Sequence, residues 1–69
     1  YKKGFPDLFI YEPRGSYHGL AIELKTGYNK ASKPQLHWQK ELTKRGYKAE
    51  ICTGIDEALD AINTYLNES

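Results

Sequence analysis

Gly19-Leu20-Ala21-Ile22-Glu23-Leu24-Lys25 is the stretch whose reading decides the fold. Side chains alternate between the two faces of a strand, so Leu20, Ile22 and Leu24 share one apolar face while Ala21, Glu23 and Lys25 share the other. A strand over residues 19–25 therefore presents an acid and a base side by side. Upstream, Leu8 to Tyr11 is a short apolar and aromatic run. It is bounded by Gly4-Phe5-Pro6-Asp7 and by Glu12-Pro13-Arg14-Gly15-Ser16, the composition of a strand followed by a turn. The two runs read as a hairpin.

Downstream, Thr26 to Ala31 is a polar loop and Ser32-Lys33-Pro34-Gln35 opens a helix. Ser32 is the N-cap, Pro34 falls in the first turn, and Gln35 takes the N3 position of a capping box. This helix is expected to run to about Arg45, with Gly46 as its terminator and Lys44 and Arg45 at the negative end of its dipole. Tyr47 to Cys52 reads as a third strand. It is reached from the second through a helix, so parallel pairing of these two strands is expected from a right-handed crossover. A second helix over about Asp56 to Leu66 places Ile55, Ala58, Leu59, Ile62, Tyr65 and Leu66 on one apolar stripe for packing on the sheet. The order is ββαβα.

Sixty-nine residues make one domain with a thin core. A hydrophobic share of 39%, a mean hydropathy of −0.73 and the absence of any long apolar run exclude a membrane-spanning helix, and an intracellular location is expected. The single cysteine, Cys52, makes no internal disulfide or CxxC zinc clamp and reads as a small buried hydrophobe. Neither GxGxxG nor GxxxxGK[ST] occurs, which disfavours a nucleotide-binding domain and an organic cofactor. The net charge of +1 conceals a split. Residues 1–48 hold all ten bases against four acids, a net +6, and the remaining 21 residues hold five acids and no base. A basic body suits a polyanionic partner.

The chemistry sits in Asp7, at the head of one strand, and in Glu23 and Lys25 on a common face of the next. Taken singly, Asp7 after Pro6 is an ordinary turn residue, and Glu23 with Lys25 is a solvated strand face. Together they fit phosphodiester hydrolysis. That reaction needs a strong nucleophile at neutral pH and neutralisation of charge on the phosphorus centre, both of which a hard divalent cation supplies. Mg²⁺ takes oxygen ligands and retains waters, so one or two carboxylates, a backbone carbonyl and a substrate phosphate suffice. Lys25 is suited to holding the attacking water and stabilising phosphate charge.

At these residues the sequence resembles the PD-(D/E)XK nuclease superfamily and, more narrowly, the VRR-NUC family. The resemblance lies in Gly4-Phe5-Pro6-Asp7-Leu8, Gly19-Leu20-Ala21-Ile22-Glu23-Leu24-Lys25, Ser32-Lys33-Pro34-Gln35 and Gly46-Tyr47, in that order. It implies a restriction-endonuclease-like α/β core with a mixed sheet, spanning residues 1–69 as one nuclease domain. It also implies a Mg²⁺- or Mn²⁺-dependent DNA endonuclease using a metal-activated water. Asp7, Glu23 and the backbone carbonyl of Leu24 would hold the metal, Lys25 would assist the water, and Gln35 would support the site from its helix. Branched DNA such as a four-way junction, cut by a homodimer, is the implied substrate. The family's N-terminal helix, first strand and further glutamate are not in this chain. The chain starts at Tyr1 and has no methionine, so elements upstream are expected.

Gln35 has a second explanation in its capping-box position. Lys30 and Lys33 flank the loop and helix start just beyond Lys25 and are the expected phosphate contacts. Tyr28, His37 and Trp38 are candidates for base stacking, with Trp38 read first as a core aromatic. The alternative function from a different class is a DNA-binding or scaffolding module of the same fold that does not cleave.

Overall fold

The computed structural model describes residues 3–68. Leu8–Ile10 (β1) pairs antiparallel with Leu20–Lys25 (β2), and β2 pairs parallel with Lys48–Thr53 (β3), giving a three-stranded mixed sheet in the order β1-β2-β3. Lys33–Lys44 (α1) connects β2 to β3, and Gly54–Leu66 (α2) follows β3. The ββαβα order, the hairpin and the parallel pair are those expected from the sequence. Strand and helix ends shift by one or two residues, as ends do. Among the described residues no helix is long and apolar enough to cross a membrane.

Alternation along β2 divides the two layers. Leu20 and Ile22 are fully buried on one face, in a cluster with Cys52, Ala58 and Tyr65, and this face is covered by α2. Ala21, Glu23 and Lys25 point the other way, toward α1, whose Gln39 amide donates to the Ala49 carbonyl of β3 at 3.3 Å. Tyr65 ties the core to the hairpin loop, its hydroxyl donating to the Glu12 carbonyl at 2.6 Å. Cys52 is buried, and that burial first, then the Glu50 and Glu57 charges, pushes its thiol pKa up.

The α2 stripe is narrower than expected. Ala58 and Tyr65 are buried and Ala61 and Ile62 pack beside them, but Ile55, Leu59 and Leu66 are 63%, 51% and 38% exposed. At about 100° per residue those three lie some 60–100° around the helix from Ala58. The three lie on the side of the helix turned away from Ala61 and Tyr65, where no described element covers them, and the small Ala61 completes the buried side in their place.

Both ends of α1, which leads into β3, follow from local chemistry. Ser32 Oγ accepts from the Gln35 backbone N–H at 3.3 Å and Gln35 Oε1 accepts from the Ser32 N–H at 2.8 Å, which closes the capping box. At the other end Gly46, with φ of +91°, lets its N–H reach the Thr43 carbonyl while the Tyr47 N–H reaches that of Leu42. These two bonds make a Schellman stop and send the chain directly into β3.

Candidate active site

Three backbone devices bring Asp7 to Glu23. The β1–β2 register sets Leu8 opposite Ile22, and the same register continued one residue back sets Asp7 beside Glu23. The Leu24 backbone N–H donates to Asp7 Oδ2 at 2.9 Å, fixing the carboxylate across the strand end. The third device is the close approach of Gly4, with φ of +82°, to the start of α1. A Cβ there would lie 2.5 Å from the Pro34 carbonyl carbon. Only glycine fits, so the segment carrying Asp7 passes directly against the helix N-terminus.

Aromatic rings hold the same segment from the side. Phe5 meets the Trp38 ring edge-on at 5.2 Å and lies 6.2 Å from Phe9, which in turn meets Tyr47 edge-on at 5.3 Å. Phe5 and Phe9 stand on either side of Asp7 in the chain, so the segment carrying the acid is held by two anchored rings. Gly4→Ala is expected to lower the melting temperature by about 5–15 °C, since left-handed strain alone is about 1–2 kcal/mol and the clash with Pro34 adds to it. Thermal unfolding followed by circular dichroism checks this, and an unchanged melting temperature would show that Gly4 makes no such approach.

Glu23 is the one buried charged side chain among the described residues, 7% exposed. Its Oε2 accepts from Gln35 Nε2 at 2.8 Å, while its Oε1 is buried with no hydrogen-bond partner. An unpaired buried carboxylate oxygen is costly unless something neutralises it. Burial, then the neighbouring Asp7 carboxyl, push the Glu23 pKa up to about 7, and Lys25 pulls it back in part. Glu23 therefore senses both the Asp7 carboxylate and the Lys25 ammonium.

Gln35 serves both of its sequence readings at once. Its amide oxygen closes the capping box on Ser32 and its amide nitrogen holds Glu23. With both ends engaged in this way, Gln35 positions the glutamate. Lys25 is half-buried at the end of β2 on the face of Glu23, and Leu24 lies between them in the chain. Lys30 and Lys33 are exposed, Lys30 in the loop and Lys33 as the first residue of α1. Tyr28 is wholly exposed in a turn closed by the Asn29 N–H on the Thr26 carbonyl, whereas Trp38 packs on Phe5 and His37. Sequence reading passed over Gly4, Phe5 and Phe9 as parts of the site.

Among the described residues no group of three or more His, Cys, Asp or Glu side chains could hold a metal ion. Two carboxylates, with Glu23 Oε1 lacking a partner, suit a hard cation that keeps much of its own water, as Mg²⁺ does, and suit poorly a metal that needs a full set of protein ligands.

No curated protein matches the chain. A solved structure described as a VRR_NUC domain protein superposes with a TM-score of 0.96 at 40% sequence identity, over 100% of this chain and 57% of that one. The chain thus spans little more than half the length of that relative. Residues 1–56, which include Asp7, Glu23, Lys25 and Gln35, match the VRR-NUC domain family, and the chain belongs to that family of nuclease domains.

Proposed function

We propose that this domain is a Mg²⁺- or Mn²⁺-dependent DNA endonuclease that hydrolyses phosphodiester bonds, acting as a homodimer on branched DNA such as four-way junctions. The observation that carries the reading is the buried Glu23 with an unpartnered Oε1 beside Asp7. Asp7, Glu23 and the Leu24 carbonyl would hold the cation. When bound, it would lower the pKa of water and neutralise charge gathering on the phosphate. Lys25 orients the attacking water and offsets phosphate charge from the same strand face. Gln35 fixes the Glu23 carboxylate through its 2.8 Å bond to Oε2, leaving Oε1 without a protein partner. Branched substrates and a second subunit are supported by the family resemblance, and a thin core gains from apolar burial between subunits.

The test is cleavage of labelled four-way junction, flap and linear duplex DNA with Mg²⁺ or Mn²⁺, beside Lys25→Ala and Asp7→Ala. The wild type is expected to cut, the junction most readily, and Lys25→Ala to lose about 10²- to 10⁴-fold in rate. Equal cutting by all three proteins would overturn the site assignment. Binding without cutting by the wild type would favour the scaffolding module.

A further inference from the structure

Three aromatic rings form a row along β1 on the side of the sheet that carries Glu23. Phe9 pairs with Ala21 in the β1–β2 register, and directly opposed residues of an antiparallel pair share a face, which for Ala21 is also the face of Glu23. Phe9 stacks on Tyr11 with ring centroids 4.7 Å apart and planes 15° from parallel, and on Phe5 at 6.2 Å and 14°. Helix α1 packs over β3 and not over β1, so the rings occupy the β1 side of this face themselves. Trp38 of α1 meets Phe5 edge-on at 5.2 Å and Tyr47 meets Phe9 edge-on at 5.3 Å, which braces the row at two points.

The far end of the row is open. Tyr11 is 79% exposed, although its ring lies flat on Phe9, and its hydroxyl makes no hydrogen bond among the described residues. A tyrosine that serves the core buries its ring and bonds its hydroxyl, as Tyr65 does on the opposite side of the sheet. Tyr11 instead holds a flat π-face out to solvent, its orientation set by the ring beneath, and such a face is what a nucleobase stacks on. It lies at the edge of the sheet, four residues beyond Asp7. That is about 13 Å of extended chain, or about four nucleotides at a duplex rise of roughly 3.4 Å.

We infer that Tyr11, held by Phe9, is a stacking platform for an unpaired base of the DNA, a few nucleotides from the bond to be cut. Stacking on a π-face accepts any base, so the platform reads the presence of an unpaired strand and not its sequence. A continuous duplex keeps its base faces stacked on one another and has none to offer along its length. The platform therefore separates DNA with unpaired bases at a branch or tail from plain duplex. This inference rests on the nuclease reading above and adds to it the element that recognises the unpaired strand. The other occupant for an exposed ring at a sheet edge is a second copy of the chain, and the place of the row on the Glu23 face, in the strand that follows Asp7, favours DNA.

The experiment measures binding of a labelled duplex by fluorescence anisotropy in chelator, where binding is read without cutting, with the duplex either blunt or extended by a single-stranded tail of a few nucleotides. The wild type is expected to bind the tailed DNA more tightly than the blunt. Tyr11→Ala is expected to weaken tailed binding by about 5- to 100-fold and to change blunt binding by less than about twofold, while Tyr11→Trp keeps the tailed affinity. Tyr11 is exposed, so both variants should melt with the wild type. A wild type without preference for the tail, equal losses on the two DNAs in Tyr11→Ala, or a Tyr11→Trp protein as weak as Tyr11→Ala overturns the platform even if the wild type cleaves DNA. Self-association lost in Tyr11→Ala, with both DNAs bound as before, also overturns it and assigns the ring to a second copy. A wild type that shows the preference, loses it in Tyr11→Ala and never cuts retains the platform and loses the nuclease reading.

Discussion

Asp7→Asn is expected to reduce DNA cleavage by about 10³-fold while leaving the fold intact. Lewis-acid stabilisation by a bound cation amounts to several kcal/mol of transition-state energy, and about 1.4 kcal/mol corresponds to each factor of ten. The substitution is chosen for what it keeps. Leu24 N–H donates to Asp7 Oδ2 at 2.9 Å, and an asparagine carbonyl oxygen accepts the same bond, so the β1–β2 clamp survives while the negative charge is lost. Asp7 is exposed, and the melting temperature should change little. A second readout separates loss of a ligand from loss of shape. The Asp7 carboxyl helps to raise the Glu23 pKa, so its neutralisation should let that pKa fall below about 7, with the burial contribution remaining. Side-chain carboxyl NMR measures this directly. Cleavage within tenfold of wild type, at unchanged Glu23 titration, would remove Asp7 from the site.

What could be read in the chain before folding was whatever is encoded within one element or one turn. Alternation in Leu20 to Lys25 separated the core face from the chemical face, and Ser32 with Gln35 located a helix start to the residue. Gly46 marked its stop. The pairing of Asp7 with Glu23 was legible from the hairpin, which puts Asp7 at the head of one strand beside the next, and the family resemblance strengthened it, since the residues are far apart in sequence and joined by register. Three features lay beyond local reading for a common reason, namely that they depend on what stands opposite. Ile55, Leu59 and Leu66 are exposed because no described element stands opposite them, which no helical pattern records. Gly4 is needed because Pro34 passes close by. Gln35 could be read as a cap and as a site residue together, and it is the position of Glu23 relative to Ser32 that lets one amide do both.

In metal-free protein, Glu23→Gln is expected to raise stability by about 3 kcal/mol at pH 8 and to change it little at pH 4.5, the opposite of its effect on cleavage. Folding raises the Glu23 pKa from 4.5 to about 7, so between those values the native state binds a proton that the unfolded chain has released. Stability attributable to this group is therefore fully present below pH 4.5 and falls as the pH rises toward 7, by about 1.4 kcal/mol for each unit of pKa difference. Glutamine removes the ionisation, and its carbonyl oxygen accepts the Gln35 Nε2 bond that Oε2 accepts now. Urea unfolding in chelator at pH 4.5 and pH 8 measures the difference. The two stability curves should converge in acid and separate in base; parallel curves would mean that Glu23 is not held in the charged form at a disadvantage. Adding Mn²⁺ or Mg²⁺ provides the decisive comparison. A cation facing the unpartnered Oε1 supplies what burial withholds, so the wild type should gain melting temperature with metal and Glu23→Gln should not. The stability lost in the metal-free protein and the metal affinity would then have a single origin, an anion buried ahead of the charge that is to meet it.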